Sequence, residues 1–176
     1  MRRADKRGIS LCCPNKILSS ITQVDIDDLI ARSIRGVILD LDNTLVEWKH
    51  EEVQEAVMQW IENVKSRGLQ LCILSNSLRG HRVFRLAEKI GVTAIGQAKK
   101  PLQSGFHRAM KALGTTPENT VIIGDQMFTD ILGGNRLGIH TIMVHPIHKS
   151  EFIYTRFISR PPERILLKYF KKSGHV

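Results

Sequence analysis

Gly36-Val37-Ile38-Leu39-Asp40-Leu41-Asp42-Asn43-Thr44-Leu45 is the stretch whose reading decides the fold. The apolar run reads as a buried strand, and the polar residues after it as a loop. Asp40 and Asp42 stand at that junction, where the backbone leaves the sheet and both side chains can turn toward one small space. Such a pair suits a nucleophile and a proton donor acting on the same substrate atom. A second acidic pair, Asp125 and Asp130 in Gly124-Asp125-Gln126-Met127-Phe128-Thr129-Asp130, follows the apolar run Val121-Ile122-Ile123. Carboxylates gathered at strand ends repel unless a proton or cation intervenes, which points to a divalent metal.

Outward from Gly36 one theme repeats: apolar run, polar loop, amphipathic helix, glycine. Strands are expected at 37–41, 69–74, 92–95, 120–123 and 139–144. Helices are expected over Glu51–Arg67, with Val53, Ala56, Val57, Trp60, Ile61 and Val64 on one face, and over His81–Ile90, Leu102–Leu113 and Met127–Leu137. Gly68, Gly91, Gly114 and Gly138 stand where helix ends favour a left-handed residue. Apolar strands alternating with helices predict an α/β fold: a five-stranded parallel sheet with helices on both faces. In such sheets ligands bind beyond the carboxyl ends of the strands, the edge that carries both acidic clusters.

Residues 1–35 read as a basic lead-in with a short capped helix from Asp25, 36–150 as the core, and 151–176 as a basic amphipathic tail, together one globular domain. The tail has a proline-started helix, Pro161–Lys172. The chain has 176 residues and a formal net charge of +9, which favours anionic partners without choosing among phosphorylated substrates, nucleic acid and acidic membrane. Its three cysteines are too few for a disulfide framework, and no ligand spacing around Cys12 and Cys13 suggests zinc. No apolar run approaches a membrane span, and no apolar core or cleavage site follows the basic start. A cytoplasmic protein is expected.

Taken together, D-x-D-N-T-L after a strand, Ser75 after the second, Lys100-Pro101 after the third and G-D-x-x-x-x-D after the fourth resemble the haloacid dehalogenase (HAD) superfamily of phosphatases. The lead-in from Asp25, the Ala98-Lys99-Lys100-Pro101 string, Gly124–Asn135 and the basic tail look like the YqeG-type subgroup, similar to the phosphatidylglycerophosphate phosphatases. The resemblance implies a three-layer Rossmann-like fold and Mg²⁺-dependent hydrolysis of phosphomonoesters. About thirty residues separate Thr44 from Ser75, so no large cap is expected over the site.

By that resemblance Asp40 is the nucleophile, forming an aspartyl-phosphate. Asp42 is the acid/base, with a pKa expected above that of a free carboxyl. Asp40, the Asp42 backbone carbonyl and Asp125 hold Mg²⁺. Asp130 is a further ligand, a second acceptor or a partner for Lys100. Lys100, rather than Lys99, clamps the phosphoryl group. Ser75 and the backbone N–H groups of Asn43 and Asn76 bind phosphoryl oxygens, and Thr44 orients Asp42. His145 and His148 are read as surface loop histidines near the rim.

An open site suits a phosphate protruding from something large, such as a phospholipid head group. The basic termini fit peripheral contact with the inner face of a membrane. A tail helix packed on the core with a solvated basic face fits equally well. Phosphatases of soluble or protein phosphates and a non-catalytic scaffold on the same fold stay open. No specific nucleic-acid motif stands out beyond net charge, and the oligomeric state is not legible.

Overall fold

The computed structural model describes residues 8–147, apart from 49, 78 and 79, together with Leu166 and Phe170. Six strands form one parallel sheet: β1 (Lys16–Leu18), β2 (Gly36–Leu39), β3 (Gln70–Leu74), β4 (Thr93–Ile95), β5 (Thr120–Gly124) and β6 (His140–Val144). Their order is β1-β6-β5-β2-β3-β4. The acidic-loop strand β2 is central, with Leu39 in register with Ile73 of β3 and Ile123 of β5. Each strand alternates its side chains between two cores. Val37, Leu39, Leu71, Ile73, Val121 and Ile123 face one; Ile38, Cys72, Leu74 and Ile122 face the other.

Helices close both faces. On the first, α1 (Ile26–Ala31), α2 (Glu55–Ser66) and α3 (Gly80–Ile90) supply Leu29, Trp60, Ile61, Val83 and Leu86. On the second, α4 (Gln103–Leu113) supplies Phe106, Ala109 and Met110. Phe106 is fully buried, a placement that contributes about 1.5–3 kcal/mol relative to exposure. The chain therefore has the α/β three-layer architecture expected. Its helix ends also follow the sequence: Gly68, Gly91, Gly114 and Gly138 all take positive φ.

The expectation of five strands is corrected to six, all parallel. The missed strand, β1, is three residues long and half-buried, at the sheet edge beside β6. Too short to show a period, it is fixed from outside. The Asn15 side-chain carbonyl accepts the Thr141 N–H at 2.9 Å, and the Asn15 N–H donates to the Thr141 carbonyl at 2.9 Å. Thus the segment before residue 36 enters the sheet.

Two helix boundaries also differ. Residues 51–54 do not extend α2; Val53, expected on a helix face, forms an antiparallel bridge with Val46. Over 127–137 a π-helical turn, Met127–Ile131, precedes α5 (Leu132–Leu137). Of the tail, Leu166 and Phe170 are helical, and Phe170 is buried against Cys12, Cys13, Met127, Ile131 and Met143. The remainder of the Pro161–Lys172 helix and its basic residues lie outside the described residues.

Candidate active site

Asp40 extends the edge of β2, its N–H donating to the Ile123 carbonyl at 2.9 Å. Being central in the sheet, its carboxylate emerges between the loops that follow β3 and β5. Lys100 Nζ donates to Asp40 Oδ1 at 2.6 Å, and Thr44 Oγ1 donates to Oδ2 at 3.3 Å. Thr44 was expected to orient Asp42; the tight loop curls it back onto Asp40 instead, four residues earlier. That curl is set by the Leu45 and Val46 N–H groups donating to the Leu41 carbonyl.

Lys100 lies between two acids. Its Nζ is 2.6 Å from Asp130 Oδ1 as well, in a second buried ion pair. The other oxygen, Asp130 Oδ2, accepts the Gln126 N–H at 3.1 Å. The wide π turn brings Asp130 back over Gly124, where an added Cβ would stand 2.3 Å from Asp130 Oδ2. This contact explains the glycine of the G-D-x-x-x-x-D string. Lys99 is exposed while Lys100 is buried, which separates the two neighbouring lysines.

Asp125 is fully buried just past β5. One oxygen each from Asp40, Asp125 and Asp130 lies within 4.8 Å of the others, the three-acid grouping found among the described residues. Three buried carboxylates face one buried ammonium, so the cluster favours additional positive charge. An all-oxygen set of three converging buried carboxylates fits a hard divalent cation such as Mg²⁺ better than zinc.

The same crowding sets the proton affinities. Burial pulls the Lys100 ammonium toward its neutral form, but Asp130 and Asp40 outweigh it and raise its pKa. Lys100 is thereby held charged. Asp130 is pushed up to about 6: burial and the Asp40 charge raise it, and Lys100 opposes them. Cys72 on β3 is pushed up to about 12 by burial, which makes it a core thiol rather than a nucleophile.

Ser75 follows β3 and is buried. Its Oγ accepts the Ser77 N–H at 3.1 Å, so the hydroxyl hydrogen can still be donated. Asn76 does more than its expected backbone contact. Its amide brackets the Lys100 backbone, accepting the Lys100 N–H at 2.7 Å and donating to the Lys100 carbonyl at 3.0 Å. Asn43 takes φ +64, and its N–H, expected near phosphate, donates to the Val46 carbonyl at 2.7 Å.

Asp42 turns the other way. Arg82 Nη1 donates to its Oδ1 at 2.8 Å.

With this geometry in place, comparison with known proteins is specific. The sequence matches the family model described as "Mitochondrial PGP phosphatase" over residues 7–148. The chain belongs to this family. It is 39% identical over 163 residues to the probable phosphatase YqeG of Bacillus subtilis (strain 168), covering 93% of this chain and 94% of that one. It is 27% identical over 149 residues to the mitochondrial phosphatidylglycerophosphatase GEP4 of Saccharomyces cerevisiae, covering 77% and 78%. Among solved structures, the cobalt-bound deoxy-D-mannose-octulosonate 8-phosphate phosphatase of Haemophilus influenzae shares the fold, with TM-score 0.51 and 17% identity over 81% of this chain and 92% of that one. This PGP phosphatase family member is a phosphatase of the HAD type.

Of the residues expected in the family's site, Asp40, Lys100, Asp125 and Asp130 converge directly, and Ser75 and Asn76 join them through the loop after β3. His145 is exposed on a separate cavity of about 310 Å³ that Thr44 also lines. His148 lies outside the described residues. Sequence reasoning missed Arg82 altogether. One available signal was its place in the first turn of α3, where the helix dipole disfavours a cation.

Proposed function

We propose that this chain hydrolyses phosphomonoesters through an aspartyl-phosphate on Asp40, with Mg²⁺ as cofactor and a phospholipid head group, phosphatidylglycerophosphate, as substrate. The observation that carries the reading is Lys100 Nζ seated 2.6 Å from both Asp40 and Asp130 in a buried pocket where Asp125 converges. Such a pocket offers one anionic nucleophile with fixed positive charge beside it.

Uncatalysed phosphomonoester hydrolysis is slow enough that enzymes accelerate it by up to about 10²¹-fold. Dividing the reaction lowers the barrier. Asp40 attacks phosphorus in line, forming its O–P bond as the ester O–P bond breaks. The leaving oxygen takes a proton from Asp42. Water then attacks phosphorus of the phosphorylated Asp40, Asp42 recovers a proton from that water, and the P–O bond to Asp40 breaks, releasing inorganic phosphate and restoring the carboxylate. Lys100 holds Asp40 in place and offsets charge on the phosphoryl oxygens. The Ser75 hydroxyl and the Asn76 N–H are the further donors, and Asn43 shapes the loop. Held by Asp40, Asp125, Asp130 and the Asp42 carbonyl, Mg²⁺ would neutralise charge shared by nucleophile and substrate.

Three points support a lipid phosphate: the family match, the net charge of +9, and the absence of a large insertion between Thr44 and Ser75 that would cap the site. No helix among the described residues is long and apolar enough to cross a membrane. Peripheral contact at a cytoplasmic membrane face, with core and tail as one globular unit, is the matching arrangement. Turnover of phosphatidylglycerophosphate in vesicles, compared with sugar and protein phosphates, tests it. Preference for the lipid is expected. Equal turnover of soluble phosphates removes the lipid reading, and no turnover of any ester by Mg²⁺-loaded protein favours a scaffold.

A further inference from the structure

We infer that Arg82 is a positioning residue for the acid/base step: it pins Asp42 on the leaving-group side of the pocket by tying it to the backbone at His50. The inference rests on the phosphatase reading above. Arg82 is 7% exposed, and a buried guanidinium is costly unless its donors are satisfied. Its donors fan out to two places. Nη1 donates to Asp42 Oδ1 at 2.8 Å, whereas Nε at 3.2 Å and Nη2 both donate to the His50 carbonyl.

The arrangement joins three segments that no sequence pattern connects: the loop after β2, the stretch at His50 and the first turn of α3. One helical turn on, Arg85 pairs with Glu51, at the surface rather than in the pocket. The hydrogen bond from Arg85 holds the Glu51 carboxyl below its usual range against desolvation, and the charges of Arg85, Arg82 and Lys89 add to it. Two arginines of one helix thus grip neighbouring residues, but only Arg82 reaches the acid/base.

Arg82 suits positioning because its planar fork fixes direction as well as charge. Asp42 alternates between donor and acceptor during the two steps, so it must keep its place while its charge changes. An arginine anchored independently on the His50 carbonyl stays where it is when Asp42 is protonated. A freely rotating cation would not. Positioning of a general acid matters for substrates whose leaving oxygen needs a proton. It matters little where the leaving group departs unaided.

The test compares an alkyl phosphate such as glycerol phosphate with an activated aryl phosphate such as dinitrophenyl phosphate, in wild type, R82A, R82K and R85A. General acids contribute about 10²–10⁴-fold, so R82A should lose about tenfold or more of its kcat/KM, which reads the transfer to Asp40 and not the later hydrolysis, on the alkyl ester, with a much smaller kcat/KM loss on the activated one. R82K keeps the charge without the fork and should recover only part of that loss. R85A, which loosens the same stretch without touching Asp42, should slow both substrates alike and slightly. Equal kcat/KM losses on both substrates in R82A, full recovery in R82K, or the R82A pattern in R85A would each overturn the inference. Should R82A fail to fold, the R82K and R85A comparison still decides. If wild type turns over neither ester, the phosphatase reading fails instead.

Discussion

Asp40 and Asp42 leave the same loop two residues apart, and each meets a cation, but the two pairs are built for different work. The Asp40 pair is sealed: Lys100 is shared with a second buried acid, Asp130, and its backbone is bracketed by the Asn76 amide. The Asp42 pair stands nearer solvent, its carboxylate 22% exposed, and its partner Arg82 is anchored on a backbone carbonyl rather than on another acid. A nucleophile must present one oxygen in one direction, and fixed charge around it achieves that. A proton carrier must exchange with substrate and water, so its partner orients it without burying it. Position in the sheet explains the contrast. Asp40 continues the central strand, and Asp42 sits where the loop has already turned outward.

The sharpest way to break the comparison is Asp40→Asn. Turnover should fall by about 10³-fold or more, in line with loss of a covalent nucleophile. Folding should survive, because Lys100 then keeps Asp130 as its single partner. Steady-state rates and urea unfolding check both halves. Next is Lys100→Met, which strands two buried carboxylates face to face. Removing one partner of a buried ion pair costs about 3–5 kcal/mol, so the urea midpoint should drop further than in Asp40→Asn. If the two variants unfold alike, the sealed pair is not sealed.

Gly124→Ala asks whether the close approach of Asp130 matters. The new methyl would occupy the place of the Asp130 carboxylate, so the π turn must shift. Overpacking of this kind costs about 1–3 kcal/mol, measurable by thermal unfolding, and activity should fall with it. A variant as stable and active as wild type would show that Asp130 has room to spare.

The smallest expected effect is pH dependence. The folded pKa of Asp130, about 6, lies above its ordinary 3.8. Its contribution is therefore fully present below about pH 4 and is lost as pH rises through 6. Metal-free wild type should lose stability relative to Asp130→Asn between pH 4 and 7, read as the difference in Tm. A flat difference would place Asp130 with Lys100 alone, untroubled by burial.

Much of the fold was legible because parallel strands buried on both faces read as apolar runs, and α2, α3, α4 and α5 each end in a glycine with the positive φ expected of it. The edge strand Lys16–Leu18 was not, because its pairing depends on Asn15 meeting Thr141, more than a hundred residues away. At the site, the residue types of Asp40, Asp125 and Asp130 carried their own meaning after the apolar strands, whereas the resemblance alone separated Lys100 from Lys99. Thr44 was misdirected toward Asp42, since only the coiled loop reveals that it faces Asp40. Arg82 lay hidden for a related reason. Its partners, Asp42 and the His50 carbonyl, are chosen by packing, and one of them is backbone, which sequence does not distinguish.

The central claim is that Asp40 carries the phosphoryl group. Asp42→Asn should form that adduct on an activated aryl phosphate and clear it slowly, since no base then draws the proton from water. Acid quenching of that variant with Mg²⁺ and substrate, followed by peptide mass mapping, reads the adduct directly. The account predicts phosphate on the peptide containing Asp40, absent when Asp40→Asn is added. Turnover by wild type with no adduct trapped in Asp42→Asn, or an adduct on another residue, would contradict it.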